Sequence, residues 1–179
     1  MMSRIIKLYL ARHAEPQTLH YKNYFPGPPL GQRGIKQAHM MAKYLRNKNI
    51  QQVYTSNFTR VIQTLQPFLD TRLEQVSPTI EKALWEREKE VESHESLVER
   101  VTAWIRNKSN LITSNTAIFS HCGPINMILQ YFDPQKTVLD YLYTCPFLCH
   151  TPFAGIWELN LQDFCLVDGK LIFVEDMES

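Results

Sequence analysis

The chain lacks any marked excess of charge: nineteen basic and eighteen acidic residues leave a formal net charge of +1 over 179 residues, with no basic block and no acidic tail. Sequence-independent nucleic-acid binding draws its affinity from neutralising several phosphates at once, so this balance argues against a nucleic-acid partner. A local basic pocket around one small anion stays compatible with it. Long apolar runs are missing as well. None approaches the ~20 residues that span a bilayer, so no membrane partner is expected. Met1–Arg4 lead straight into Ile5-Ile6-Lys7-Leu8-Tyr9-Leu10, where Lys7 interrupts the stretch, and this reads as a strand and not as an export signal. Cysteine is scarce. Cys122, Cys145, Cys149 and Cys165 are too few for a disulfide framework in a chain this long, and reduced thiols in a cytoplasmic protein are the expectation. Cys145, Cys149 and His150 come near a haem-attachment pattern but carry three residues between the cysteines instead of two.

Repeats, low-complexity tracts and linkers are absent too, which leaves one domain over residues 1–179. Its composition, 44% apolar and 11% aromatic, is that of an ordinary globular chain. At this length a domain hides roughly 70% of its unfolded surface. Ile5 to Leu10 is nearly continuous in apolar character, as in a strand buried on both faces. Ile35, Ala38, Met41, Ala42 and Leu45 follow a 3.6-residue period and predict a helix packed on a sheet. Val53–Thr55 predicts a short strand, Val61, Leu65, Phe68 and Leu69 a second helix, and Leu97, Val101, Trp104 and Ile105 a third. Thr116 to Ser120 reads as another strand, followed by a helix through Ile125, Ile128 and Leu129. Such alternation predicts an α/β fold, a mostly parallel sheet with helices on both faces. Asp133 to Pro146 is expected to hold one short helix. Ile156–Val167 and Lys170–Val174 flank Asp168-Gly169, a hairpin signal, and predict an antiparallel edge.

Ligands of open α/β sheets bind beyond the carboxyl ends of the strands. The first strand ends in Ala11-Arg12-His13-Ala14-Glu15. The second ends in Thr55-Ser56, with Arg60 about one turn into the next helix, and the strand at Thr116–Ser120 ends in His121-Cys122-Gly123-Pro124. Two arginines and two histidines thus converge on one rim, which fits a dianionic phosphoryl group. Arginine grips phosphate oxygens with a planar fork of charged donors. A neutral imidazole is a nucleophile without help from a base and can carry a phosphoryl group covalently. The second histidine and the amides opening the helix after His121 add donors. This inventory suffices for phosphoryl transfer without a metal or cofactor, and no cluster has metal-ligand spacing. It does not include a proton donor for the leaving oxygen.

Leu10-Ala11-Arg12-His13-Ala14-Glu15 resembles the RHG-type signature of the histidine phosphatase superfamily, the phosphoglycerate mutase-like proteins. Pro29-Leu30 through Gly34 to Gln37-Ala38, Tyr54 to Thr64, Glu95-Ser96 with Arg100-Val101, and Phe119 to Pro124 resemble further motifs of that family, in the same order. The resemblance implies a three-layer α/β/α sandwich with a mostly parallel central sheet and an antiparallel edge. It implies His13 as the phosphorylated nucleophile, Arg12 and Arg60 as the clamp on the phosphoryl oxygens, and His121 completing the pocket. The family's general acid is a glutamate in an "L.E" element. Leu84-Trp85-Glu86 fits it, with Glu88 as the alternative. The activity so implied is metal-independent phosphomonoester hydrolysis through a phosphohistidine, by a histidine acid phosphatase-like hydrolase acting on a phosphorylated small molecule or on phosphohistidine of a protein. Mutase-type phosphotransfer and a non-catalytic phosphate-binding relative are the alternatives. Four features depart from the family pattern: Ala14 and Cys122 stand where glycines are usual, the asparagine that often follows the first motif has no counterpart, the nearest position being Leu19, and only a short segment separates Glu86 from Glu95, a reduced cap region. His39 and His94 are expected on the surface. Tyr21, Tyr24 and Phe25 beside Pro26-Gly27-Pro28-Pro29 form a stiff aromatic loop, read either as core packing or as a lining for the leaving group.

Overall fold

The computed structural model describes residues 5–20, 22–72, 76–139 and 151–175. Tyr21, Cys145, Cys149 and His150 lie outside them. The elements run β1 (Ile5–Arg12), α1 (Gln32–Leu45), β2 (Gln52–Thr55), α2 (Thr59–Asp70), β3 (Thr79–Ile80), a 3₁₀ turn (Lys82–Leu84), α3 (His94–Lys108), β4 (Thr116–Ser120), α4 (Cys122–Phe132), β5 (Gly155–Gln162) and β6 (Cys165–Phe173). The strands form one six-stranded sheet of order β3-β2-β4-β1-β5-β6. β3, β2, β4 and β1 pair in parallel, whereas β5 is antiparallel to both β1 and β6. The α/β class and the antiparallel edge are therefore as the alternating pattern predicts.

Two apolar clusters, one on each face, make the three layers. Side chains alternate across a pleated sheet with period two. Tyr9 and Ala11 of β1, Val53 of β2 and Ala117 and Phe119 of β4 accordingly pack with α1 and α2 residues such as Met41, Leu45 and Leu65. Leu8 and Leu10, Tyr54 and Ile118, one position out of step, pack with Val101 and Ile105 of α3 and Ile125 and Ile128 of α4. Leu8 and Leu10 are fully buried, and cutting either to alanine is expected to cost about 2–5 kcal/mol.

Three local expectations are corrected. The β5–β6 turn is Asp163-Phe164, both residues left-handed with φ of 51° and 62°, and Asp168-Gly169 lies inside β6 opposite Asn160 and Leu159. Gly169 serves close packing there and not a turn: a Cβ would collide with the side chains of Leu139 and Leu159. Ile35 is exposed, because the buried stripe of α1 runs through Gly34, Gln37, Ala38, Met41, Ala42 and Leu45. Finally, no helix follows Asp133 as far as Leu139. The Asp133 carboxylate accepts the N–H groups of Thr137, Val138 and Leu139 at 2.8, 3.0 and 2.8 Å, which fixes turns in place of a helical ladder. The rest of that stretch lies outside the described residues. Among the described residues no helix is long and apolar enough to cross a membrane.

Candidate active site

The rim at the carboxyl ends of β1, β2 and β4 brings the four predicted residues together. Arg12 is the last residue of β1, and His13 continues its ladder: the His13 N–H donates to Ser120 O (3.0 Å) and its carbonyl accepts from Ala154 N–H (3.2 Å). Arg60 is the second residue of α2, and His121 bridges β4 and α4. All four are buried, at 8, 3, 3 and 0% exposure for Arg12, His13, Arg60 and His121. The Arg60 guanidinium lies between the histidines, with Nε donating to His13 Nε2 and Nη2 to His121 Nδ1, each at 3.2 Å. The imidazole centroids are 5.1 Å apart.

These partners assign the tautomers. His13 Nδ1 lies 2.8 Å from its neighbour's carbonyl, Ala14 O, and so carries the proton, which leaves Nε2 with the lone pair. His121 Nδ1 accepts from Arg60, so Nε2–H donates to Ser56 Oγ at 3.0 Å. Both imidazoles are held well below the ordinary histidine value of 6.5. For each, burial is the first cause and the adjacent Arg60 the second. A neutral ring with an oriented lone pair is the form in which histidine acts as a nucleophile.

Four contributors are not predicted. Ser56 fixes the His121 ring, and its place at the end of β2 is a signal the strand-end rule already supplies. Thr151 and Phe153 reach the site from beyond α4: Thr151 O accepts from Arg12 Nη1 at 2.7 Å, and the Phe153 ring lies 4.0 Å from the Arg12 guanidinium carbon. Nothing in their sequence neighbourhood marks them. Phe58 packs edge-on against His121, centroids 4.8 Å apart.

Outside Arg12 opens a cavity of about 680 Å³, walled by Tyr24, Glu86, Glu88, His94 and the start of α4. Glu86 sits directly over α4, where a Cβ on Gly123 would lie 2.8 Å from Glu86 Oε1. Glu88 lines the same cavity, while its carbonyl accepts the N–H groups of Val91 and Glu92. In the aromatic loop the packing reading holds for Tyr24, which lies against a core cluster. Tyr24 lines the cavity, and exposed Phe25 stacks on Trp85 at 5.1 Å with planes 8° apart. His39 and His94 are exposed, although His94 also faces the cavity. Among the described residues no group of three or more metal-ligating side chains occurs.

The motif at the start of α1 has a mechanical explanation. Gly34 lets the helix touch the Glu15 backbone, where any Cβ would overlap the Glu15 carbonyl, and Gln37 Oε1 accepts the Glu15 N–H at 2.8 Å. The helix thus buttresses the segment just after His13. Ala14 is accommodated without a left-handed backbone, its N–H donating to Thr64 Oγ1 at 2.9 Å. Cys122, the first residue of α4, is disulfide-bonded, which corrects the expectation of reduced thiols. Cys165 is free and exposed.

Residues 8–88 match the family model of the histidine phosphatase superfamily (branch 1). No curated protein matches the chain significantly in sequence. Among solved structures, a phosphoglycerate mutase from Bacillus anthracis str. Sterne superposes with a TM-score of 0.74 at 17% identity, covering 99% of this chain and 98% of its own. A phosphoserine phosphatase from Entamoeba histolytica, in complex with phosphoserine, gives 0.71 at 14% identity over 95% and 98%. The protein histidine phosphatase SixA, complexed with tungstate, gives 0.62 at 19% over 94% and 95%. Likeness at these identities concerns the fold. Residues 8–88 thus resemble the histidine phosphatase superfamily, branch 1, and the architecture of the chain is the phosphoglycerate mutase-like fold.

Proposed function

We propose that the chain is a metal-independent phosphomonoesterase that works through a phosphohistidine at His13. The observation that carries this reading is the state of that ring: buried, neutral, its Nδ1–H tied to Ala14 O, and its Nε2 lone pair directed at a guanidinium that phosphate oxygens would share. In the first step Nε2 attacks phosphorus in line and the bond to the leaving oxygen breaks. Arg12, Arg60 and the His121 side of the cluster stabilise the charge on the non-bridging oxygens. Glu86, as the carboxylic acid, gives its proton to the departing oxygen. In the second step the Glu86 carboxylate takes a proton from water, which attacks phosphorus, and the N–P bond breaks to return neutral His13 and inorganic phosphate.

Glu86 is preferred to Glu88 because its carboxylate packs against the helix that begins beside His121. The domain is read as one unit over residues 1–179 with a reduced cap, since only residues 85–93 separate the 3₁₀ turn from α3. That supports hydrolysis over mutase-type transfer, which must retain and reorient a phosphorylated intermediate. The cavity accepts a phosphorylated small molecule or a phosphohistidine side chain of a protein. The test is a brief reaction with a phosphate-labelled aryl ester, quenched in alkali. An acid-labile label absent from His13→Ala is the expected result. Label on a serine, or phosphate binding with no turnover in the unsubstituted protein, would overturn it.

A further inference from the structure

After the 3₁₀ turn ends at Leu84, the segment carrying Glu86 has no helical or strand ladder to hold it. Its backbone is nevertheless held from residue 83 to the acid itself. Four consecutive carbonyls accept side-chain donors: Ala83 O from Arg100 Nη1 (2.6 Å), Leu84 O from Ser120 Oγ (2.6 Å), Trp85 O from Arg100 Nη2 (2.9 Å), and Glu86 O from the Tyr24 hydroxyl. The donors come from α3, from β4 and from the loop that follows β1. The same guanidinium grips the far end of the segment, with Nε and Nη2 donating to the Glu92 carboxylate at 2.5 and 2.8 Å. A further bond from Nη1 to Lys82 O at 3.5 Å engages the last of the five N–H donors an arginine has. Arg100 does not line the cavity, so none of its donors faces a substrate there.

We propose that Arg100 and Tyr24 are positioning residues for the Glu86 carboxyl, acting through its backbone. This rests on the reading of Glu86 as the proton donor. A general acid must stand ~2.6–3.2 Å from the oxygen it protonates, and a displacement of ~1 Å can cost ~10²-fold in rate. A segment without ladder bonds meets that tolerance only if something else fixes it. Arg100 closes residues 83–92 into a loop, and Tyr24 pins the carbonyl of the acid itself. Tyr24 also packs edge-on against Phe58 at 5.1 Å, and Phe58 against His121, so it sets the distance from the acid to the phosphate cluster.

The test is single-turnover phosphorylation of His13 by two esters, an alkyl phosphate with a poor leaving group and an activated nitrophenyl phosphate. It is run on Tyr24→Phe, Arg100→Lys and Glu86→Gln, with vanadate inhibition and melting temperature recorded for each. Tyr24→Phe keeps the ring packing and removes only the hydroxyl, so it carries the test even if Arg100→Lys does not fold. The expected result is that Tyr24→Phe and Arg100→Lys slow the alkyl ester ~10-fold or more and the nitrophenyl ester far less, as loss of proton donation requires, with vanadate inhibition unchanged. Equal slowing of both esters by Tyr24→Phe, while Glu86→Gln keeps its leaving-group dependence, would overturn the positioning role and leave the acid assignment standing. Weakened vanadate inhibition in Tyr24→Phe would overturn it too, by showing that the phosphate cluster had moved. Equal slowing by Glu86→Gln itself would remove the acid assignment, and the positioning role with it.

Discussion

At the carboxyl end of β1 the candidate site is made at strand ends and helix starts, with both histidines and both arginines buried and each oriented by a close neighbour. Along residues 83–92 the opposite wall is the end of a 3₁₀ turn followed by irregular chain, half exposed, and the carbonyls of residues 83–86 are held by side chains from three other elements. On the proposed function, the first region binds what all phosphomonoesters share, and the second faces what distinguishes them. Order is inherited from the sheet in one case. In the other it is assembled from single hydrogen bonds, each removable by one substitution.

The contrast predicts that damage at the phosphate end is blind to the leaving group. Arg60→Ala, the largest effect expected short of losing His13, should lower turnover by roughly 10²–10³, equally for alkyl and activated esters, and weaken vanadate inhibition. Unchanged rate and affinity would break the assignment of Arg60. The next effect is on stability. Because the folded pKa of His13 and His121 is lowered, the unfolded chain binds protons near the ordinary value of 6.5 that the folded chain refuses. The stabilisation is complete above that pH and is lost as pH falls below it toward the lowered values. Melting temperature should therefore drop on acidification through 6.5, before a second decline between 4.5 and about 2. The second decline belongs to Glu158, where burial is outweighed by hydrogen bonds from Lys7 and Tyr44 and by the charge of Lys48. A profile flat down to 4.5 would mean that the two imidazoles reach water.

Smaller effects sharpen the comparison further. Ser56→Ala leaves the His121 Nε2–H without its acceptor, a loss worth ~1–3 kcal/mol when a buried donor is stranded. Turnover should fall about tenfold for both esters, and a loss confined to the alkyl ester would assign Ser56 to the other wall. Phe153→Leu removes the ring over Arg12, a contact worth ~0.5–2 kcal/mol. A few-fold weaker competitive inhibition by inorganic phosphate is expected, read by titration against the unsubstituted protein.

How much of this the residues announce follows the same division. Arg12, His13, Arg60 and His121 are legible because parallel strands all deliver their carboxyl ends to one rim, so position along each strand is enough. Ser56 obeys the same rule. Thr151 and Phe153 approach Arg12 across 139 and 141 positions of chain, and no local periodicity encodes such a meeting. Tyr24 and Arg100 were visible as an aromatic loop and a helix motif. Their purpose was not, since it lies in which carbonyls they reach. The hairpin signal at Asp168-Gly169 misled for a related reason: glycine beside aspartate marks a turn by frequency, whereas here it makes room for Leu139 and Leu159.

The position of β1 between β4 and β5 has a consequence for how such a protein can change over generations. An altered residue there must suit two neighbouring strands and a helix layer at once, so the strand bearing Arg12 admits few alternatives. Lys22, Arg87, Lys89 and His94 border the cavity with little packed behind them. On the proposed function, substitutions at those positions alter which phosphate ester is welcome and leave the hydrolytic chemistry intact.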